Sequence, residues 1–180
     1  VVFDGRDITG LPADAVCRLG MARTFQVTRP FAAMTCLENI MVAAVNRHPR
    51  KPRSFIEDYA REKLGLVGLA GMEGFEARQL NVVQKKRLEM ARAIATAPKL
   101  LMLDEVLGGL NTQEINQAVE FIRSLRDRLG LTVLWIEHVM GAVMQAAERV
   151  IVLDQGKVLM AGTPHEVVND QRVIQAYLGD

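Results

Sequence analysis

Leu100-Leu101-Met102-Leu103-Asp104-Glu105 is the stretch that decides how this 180-residue chain is read. Four apolar residues run straight into two adjacent carboxylates. An uninterrupted apolar run of this length suits a strand buried on both faces, as in a parallel sheet. Open parallel sheets bind their ligands at the carboxyl ends of the strands, so Asp104 and Glu105 are expected at a binding edge. Two neighbouring carboxylates held out of water without partners are costly, or take up protons. A metal ion with a water nucleophile answers that conflict: one carboxylate orders Mg²⁺ and the other polarises the attacking water. An ordinary strand ending in a solvated acidic turn would show the same six residues, so the rest of the chain must discriminate.

Composition sets the frame. The residues are 49% apolar and 24% charged, which describes a globular domain with a sizeable core. A net charge of +1 offers no general argument for nucleic acid or an anionic membrane. Cys17 and Cys36 have no metal-like spacing and read as free thiols of a reducing compartment. No apolar run approaches the roughly 20 residues of a membrane-spanning helix, so a membrane role would pass through a partner. No secretory leader pattern is visible. Val1-Val2-Phe3-Asp4-Gly5 reads as a strand remnant entering a turn, as though the N-terminal part of the domain were missing.

Working outward from the acidic strand, the chain alternates helices and strands. Helices are expected over Pro12–Arg18, Thr35–Val45, Phe55–Leu66, Val82–Ala97, Glu114–Arg128, Gly141–Ala147, Pro164–Val168 and Arg172–Leu178. Thr35 with Glu38 three residues on is a capping box. His48-Pro49-Arg50-Lys51-Pro52-Arg53-Ser54 is basic and proline-rich and reads as the loop between two helices. Strands are expected at Met21–Phe25, Leu100–Leu103 and Thr132–Ile136, with Val150–Leu153 and Val158–Met160 paired around Asp154-Gln155-Gly156. This order predicts an α/β fold with helices outside a sheet.

Four further elements fall in order around the acidic pair. Gln26 closes Arg23-Thr24-Phe25-Gln26, and Leu80-Asn81-Val82-Val83-Gln84 opens the helix before the acidic strand. Gly108-Gly109-Leu110-Asn111 is a tight turn after it, and Glu137-His138 ends the next strand. With the helix Gln84-Lys85-Lys86-Arg87-Leu88-Glu89-Met90-Ala91-Arg92-Ala93, these pieces resemble the nucleotide-binding subunit of ABC transporters over nearly the whole chain. Within that family, Arg23-Thr24-Phe25-Gln26, Gly109-Leu110-Asn111, Ile136-Glu137-His138-Val139-Met140 and Tyr177-Leu178-Gly179 look most like the branched-chain amino acid importers.

The resemblance implies an ABC-type P-loop NTPase core with a mostly parallel sheet, as one partial domain over residues 1–180. A small helical subdomain would be inserted at about residues 30–84. It implies ATP and Mg²⁺ as cofactors, with Glu105 as the general base or water-polarising group and Asp104 holding Mg²⁺ through water. Gln26 would contact Mg²⁺ and the attacking water, and His138 would hydrogen-bond the γ-phosphate. Asn81, Gln84 and Asn111 would be the nucleotide-binding residues, Asn111 crossing to a second nucleotide-binding subunit. Membrane permease subunits are the implied partners, with a periplasmic solute-binding protein reached indirectly and no nucleic acid. The implied place is the cytoplasmic side, peripheral on the plasma membrane.

Two departures from the family pattern stand out. Residues 1–180 hold no G-x-x-x-x-G-K-[ST] phosphate cradle; the one Gly-Lys step, Gly156-Lys157, is followed by Val158. The family's loop lies upstream of Val1, which makes truncation the expected cause and leaves the chain alone without ATPase activity. The family's Ser, small residue and Gly before Gln84 are here Asn81, Val82 and Val83. Val83 puts a β-branched side chain where backbone must approach phosphate closely, and Val106 replaces a Pro. A non-catalytic module docking on a permease or partner ATPase is therefore the alternative. An ABC-type ATPase of DNA repair would carry long heptads or a basic stripe, and neither is present.

Overall fold

The computed structural model describes Val1 to Leu178, so Gly179 of the Tyr177-Leu178-Gly179 ending lies outside the described residues. Two compact units are present: residues 1–108 with 125–136, and residues 109–124 with 137 onward.

The first unit is built on a three-stranded parallel sheet of β3 (Met21–Arg23), β4 (Leu100–Asp104) and β5 (Thr132–Ile136), in the order β3-β4-β5. Leu100 pairs with Thr132 and Asp104 with Ile136, while Met21 pairs with Leu100 and Arg23 with Met102. Parallel neighbours need long crossovers, and here helices supply them. The α/β expectation holds. The double-sided burial does not: Leu101 and Leu103 are buried, but Leu100 and Met102 are only half-buried. On β5, Leu134 and Ile136 are 48% and 55% exposed. Among the described residues, the Leu101–Leu103 face of this sheet is buried and the other face only in part.

β1 (Val2–Phe3) and β2 (Arg6–Asp7) form a small antiparallel hairpin of their own, followed by α1 (Ala13–Arg18). β3 is shorter than expected for a reason. Thr24 still donates its N–H to the Met102 carbonyl, but the Phe25 N–H turns away to the Glu89 carboxylate and the ladder ends.

Between β3 and β4 come α2 (Cys36–Arg47), α3 (Arg53–Leu66) and α4 (Val82–Ile94), which pack on one another. The Thr35–Glu38 capping box is formed in both directions. α2 buries Cys36, Ile40 and Ala44, and α3 buries Ile56, Ala60 and Leu64, the i, i+4 spacing of helices sharing an apolar seam. α4 stops at Ile94, three residues short of Ala97. Thr96 Oγ1 donates to the Ala93 carbonyl and Ala97 takes a left-handed φ of 51°, so the helix unwinds before Pro98.

α5 (Thr112–Leu129) starts two residues earlier than expected because Asn111 caps it: Asn111 Oδ1 accepts the Glu114 N–H, and Glu114 accepts the Asn111 N–H. The second unit continues with α6 (Met140–Ala146), β6 (Val150–Asp154), β7 (Lys157–Gly162), α7 (Pro164–Asn169) and α8 (Gln171–Leu178). β6 and β7 are an antiparallel hairpin whose two turn residues, Gln155 and Gly156, have φ of 45° and 77°. Positive φ at both positions is the mirror-image turn that matches strand twist, and Gly156 takes it at little cost. Val152, Val167 and Val173 form one buried cluster in this unit.

Candidate functional site

β4 delivers Asp104 as its last residue, and the chain turns sharply at Glu105, whose φ is 45°. A left-handed non-glycine residue costs on the order of 1 kcal/mol and persists only where its surroundings fix it. Three contacts do so. The Glu105 N–H donates to the Ile136 carbonyl at 2.9 Å, its carbonyl accepts the Gly108 N–H at 3.3 Å, and its carboxylate accepts Gln26 Nε2 at 2.5 Å. Asp104 is held from the neighbouring strand: Arg23 Nη2 reaches Asp104 Oδ2 at 2.7 Å. The Arg23 guanidinium also lies 5.3 Å from the Phe25 ring centroid, within cation–π range.

Gln26, Asp104 and Glu105 thus meet at the carboxyl end of β4. The partner chemistry differs from the sequence argument. The conflict of two adjacent carboxylates is answered by Arg23 on one and the Gln26 amide on the other. Among the described residues no group of three His, Cys, Asp or Glu side chains could cage a metal ion. The donors are nonetheless hard oxygens, and Mg²⁺ usually takes only one or two carboxylates with water and substrate phosphates. The residues fit a Mg²⁺ ion carried in on a phosphate.

α4 braces this edge from behind. Glu89, only 7% exposed, accepts the Phe25 N–H at 3.1 Å. Arg92 Nη1 donates to the Arg29 carbonyl at 3.1 Å and stacks its guanidinium 4.7 Å from the Phe31 ring centroid. One helix face therefore pins the segment carrying Gln26 on both sides. Burial pushes the Glu89 carboxyl above its ordinary range, against the opposing pull of the Phe25 N–H, Arg92 and Lys86. The same burial lowers Arg92. Lys86 Nζ donates to the Val106 carbonyl at 2.7 Å and also to the Gly108 carbonyl, closing the turn that begins at Glu105.

Asn81 and Gln84 are engaged with each other. Asn81 Oδ1 accepts the Gln84 N–H at 2.9 Å, and Gln84 Oε1 accepts the Asn81 N–H at 3.0 Å, a reciprocal cap on α4. Gln84 Nε2 points to the Met72 sulfur at 3.6 Å. Val82 is 59% exposed at this helix start. Asn111 caps α5 in the second unit. His138, two residues past β5, is exposed; its N–H donates to Glu137 Oε2 at 3.2 Å, and its Nδ1 lies 3.9 Å from that oxygen.

Gln26, Asp104 and Glu105 stand out in the sequence, whereas Arg23, Lys86, Glu89 and Arg92 do not. The available signal was in α4, where Glu89 interrupts a run of buried Leu88, Met90 and Ala91. A carboxylate there needs a partner.

A family model described as ABC transporter matches residues 1–108, and one described as branched-chain amino acid ATP-binding cassette transporter matches residues 157–180. The chain is 39% identical over 192 residues to the high-affinity branched-chain amino acid transport ATP-binding protein BraF of Pseudomonas aeruginosa, covering 99% of this chain and 75% of that protein. It is 36% identical over 193 residues to the high-affinity branched-chain amino acid transport ATP-binding protein LivG of Escherichia coli K12, covering 100% of this chain and 76% of the relative. A solved ATP-binding cassette of an ABC transporter superposes with a TM-score of 0.86 at 26% identity, over 98% of this chain and 76% of the other. The crystal structure of the ADP conformation of such a cassette superposes with a TM-score of 0.84 at 25% identity, over 99% and 76%.

Proposed function

This chain belongs to the ATP-binding family of ABC transporters, and from that premise we propose that it is the subunit that binds and hydrolyses ATP to drive import of branched-chain amino acids through a membrane permease. The observation that carries the reading is the convergence of Gln26, Asp104 and Glu105 at the end of β4, on a chain 36–39% identical to importer subunits of that substrate class.

Each residue then has a task. Glu105 accepts a proton from the attacking water or polarises it, and the Gln26 amide, already bonded to Glu105, orients that water. Asp104, whose Oδ2 is paired with Arg23, would hold Mg²⁺. A Mg²⁺ ion held there would neutralise phosphate charge. His138, exposed just beyond β5, offers a donor to phosphate oxygen. Asn81, Gln84 and Asn111 serve the nucleotide from their helix caps. The helices of residues 30–84 form the subdomain that meets the permease, with a second nucleotide-binding subunit and a periplasmic solute-binding protein completing the importer. The working place is the inner face of the plasma membrane.

Residues 1–180 contain no Gly-rich cradle to anchor a triphosphate, so the isolated chain holds ATP weakly. One experiment covers both statements. ATP and Mg²⁺ titrated into the isolated chain should show no micromolar binding, while proteoliposomes carrying the permease assembled with this subunit, a Gly-rich cradle supplied ahead of Val1, should take up leucine only with ATP inside. Uptake indifferent to ATP would overturn the importer reading, and micromolar binding by the isolated chain would overturn the account of its weak site.

One observation favours a second reading. Val82 and Val83 stand at the start of α4, where the resemblance calls for backbone approach to phosphate, and a permease-docking module without turnover would tolerate them.

A further inference from the structure

The tip of the helical arm between α2 and α3 is rigid, strongly basic and unclaimed by nucleotide chemistry. From Asn39 to Ile56 the chain has no acidic residue, yet Arg47, Arg50, Lys51 and Arg53 fall within seven positions. In a protein whose net charge is +1, this is a local concentration of charge. Arg53 is matched by Glu57 at 2.7 Å. Arg47, Arg50 and Lys51 are exposed, and among the described residues none forms an ion pair with a carboxylate.

The loop is also held in one shape. The Lys51 N–H closes a turn onto the His48 carbonyl at 3.0 Å, between Pro49 and Pro52. The His48 ring is wedged edge-on against Phe55 and Tyr59, with centroids 5.3 and 4.9 Å away, and Lys51 Nζ lies 5.1 Å from the Phe55 ring centroid. Val42 and Val45 on the last turns of α2 and Phe55 at the start of α3 are exposed as well, and the Phe55 ring lies against Lys51. Clustered Lys and Arg flanked by exposed apolar groups are what an anionic bilayer surface attracts.

We propose that the α2–α3 tip is a membrane-contact surface, in which Arg47, Arg50 and Lys51 bind the phosphate headgroups of anionic lipid while Val45 and Phe55 reach the interface. The occupant is a lipid bilayer, chosen over an acidic protein because exposed apolar side chains accompany the cations on a segment that contains no strand to pair with a peptide. The inference rests on the reading that this chain works at a membrane, and it adds a contact made by the subunit itself.

Vesicle co-sedimentation of the 180-residue chain tests it without nucleotide or permease. The chain should sediment with vesicles containing phosphatidylglycerol, stay in the supernatant with pure phosphatidylcholine, and be released as salt rises. Each cation near an anionic surface contributes about fivefold in partitioning, so Arg47→Ala/Arg50→Ala/Lys51→Ala should weaken binding about 100-fold. All three side chains are exposed, and circular dichroism checks that the fold is kept. Arg6→Ala/Arg128→Ala/Lys157→Ala removes the same charge elsewhere and should leave binding unchanged. Equal losses in the two triple variants, equal binding to both vesicle types, or no sedimentation at all would overturn the proposal. So would full competition of the bound chain by polyglutamate at matched ionic strength, which would assign the surface to an acidic protein. The uptake assay in permease proteoliposomes fails or succeeds independently of these outcomes.

Discussion

At the scale of single residues, Glu89 shows how the site is bought with stability. Its carboxylate is nearly buried in α4 so that it can receive the Phe25 N–H and end β3 just before Gln26. Burial raises its folded-state pKa above the ordinary 4.5. A raised carboxyl stabilises the fold fully below pH 4.5 and loses that contribution as pH rises through the shifted value. Glu89→Gln keeps an acceptor oxygen for Phe25 and removes the buried charge. Its urea midpoint should therefore lie above that of the wild type at pH 7 and coincide with it near pH 4. A midpoint below wild type at pH 7 would show that the charge pairs favourably with Arg92. Asp104 and Glu105 were legible in the sequence because two carboxylates after an apolar run are conspicuous. Arg23 and Lys86 were not, because a cation's partner is fixed by register and helix placement rather than by its neighbours in sequence. Only the pairing of Arg23 with Met102 brings Arg23 alongside the end of β4.

At the scale of elements, the helices were readable from their caps and periodicity, and their ends were not. Capping boxes at Thr35 and Asn81 are local chemistry, and Thr35 was read correctly from its spacing to Glu38. The stops at Arg23 and Ile94 depend on a tertiary contact and on a left-handed Ala97, for which the sequence carries no local mark. The burial of β4 was over-read for a related reason: an apolar run tells which residues can be buried, not how many layers cover them. Asn39 is the element-scale counterpart of Glu89. Fully buried in α2, it donates to the carbonyls of Phe31, Met34 and Thr35 and accepts the Phe31 N–H, setting how the chain after Gln26 enters the arm. Asn39→Ala leaves these backbone groups without their partner. Urea unfolding should show a loss of about 2–4 kcal/mol. A loss under about 0.5 kcal/mol would mean that water satisfies the groups instead.

At the scale of the whole molecule, the chain assigns its chemistry and its attachments to different parts. The end of β4 gathers Gln26, Asp104 and Glu105, α4 braces the Gln26 segment from Phe25 to Arg29, and the α2–α3 tip presents Arg47, Arg50 and Lys51, with Arg53 alone paired to Glu57. No described helix is long and apolar enough to cross a membrane. The measurement that tests this account most directly is ATP hydrolysis by the importer assembled with the subunit given a Gly-rich cradle ahead of Val1, compared between Glu105 and Glu105→Gln. The amide keeps the shape and the link to Gln26 but cannot take a proton, and a general base contributes on the order of 10²–10⁴ in rate. The account predicts a loss of that size with ATP binding retained. Equal hydrolysis rates for the two forms would contradict it, and no hydrolysis by either would leave the non-catalytic module as the reading that stands.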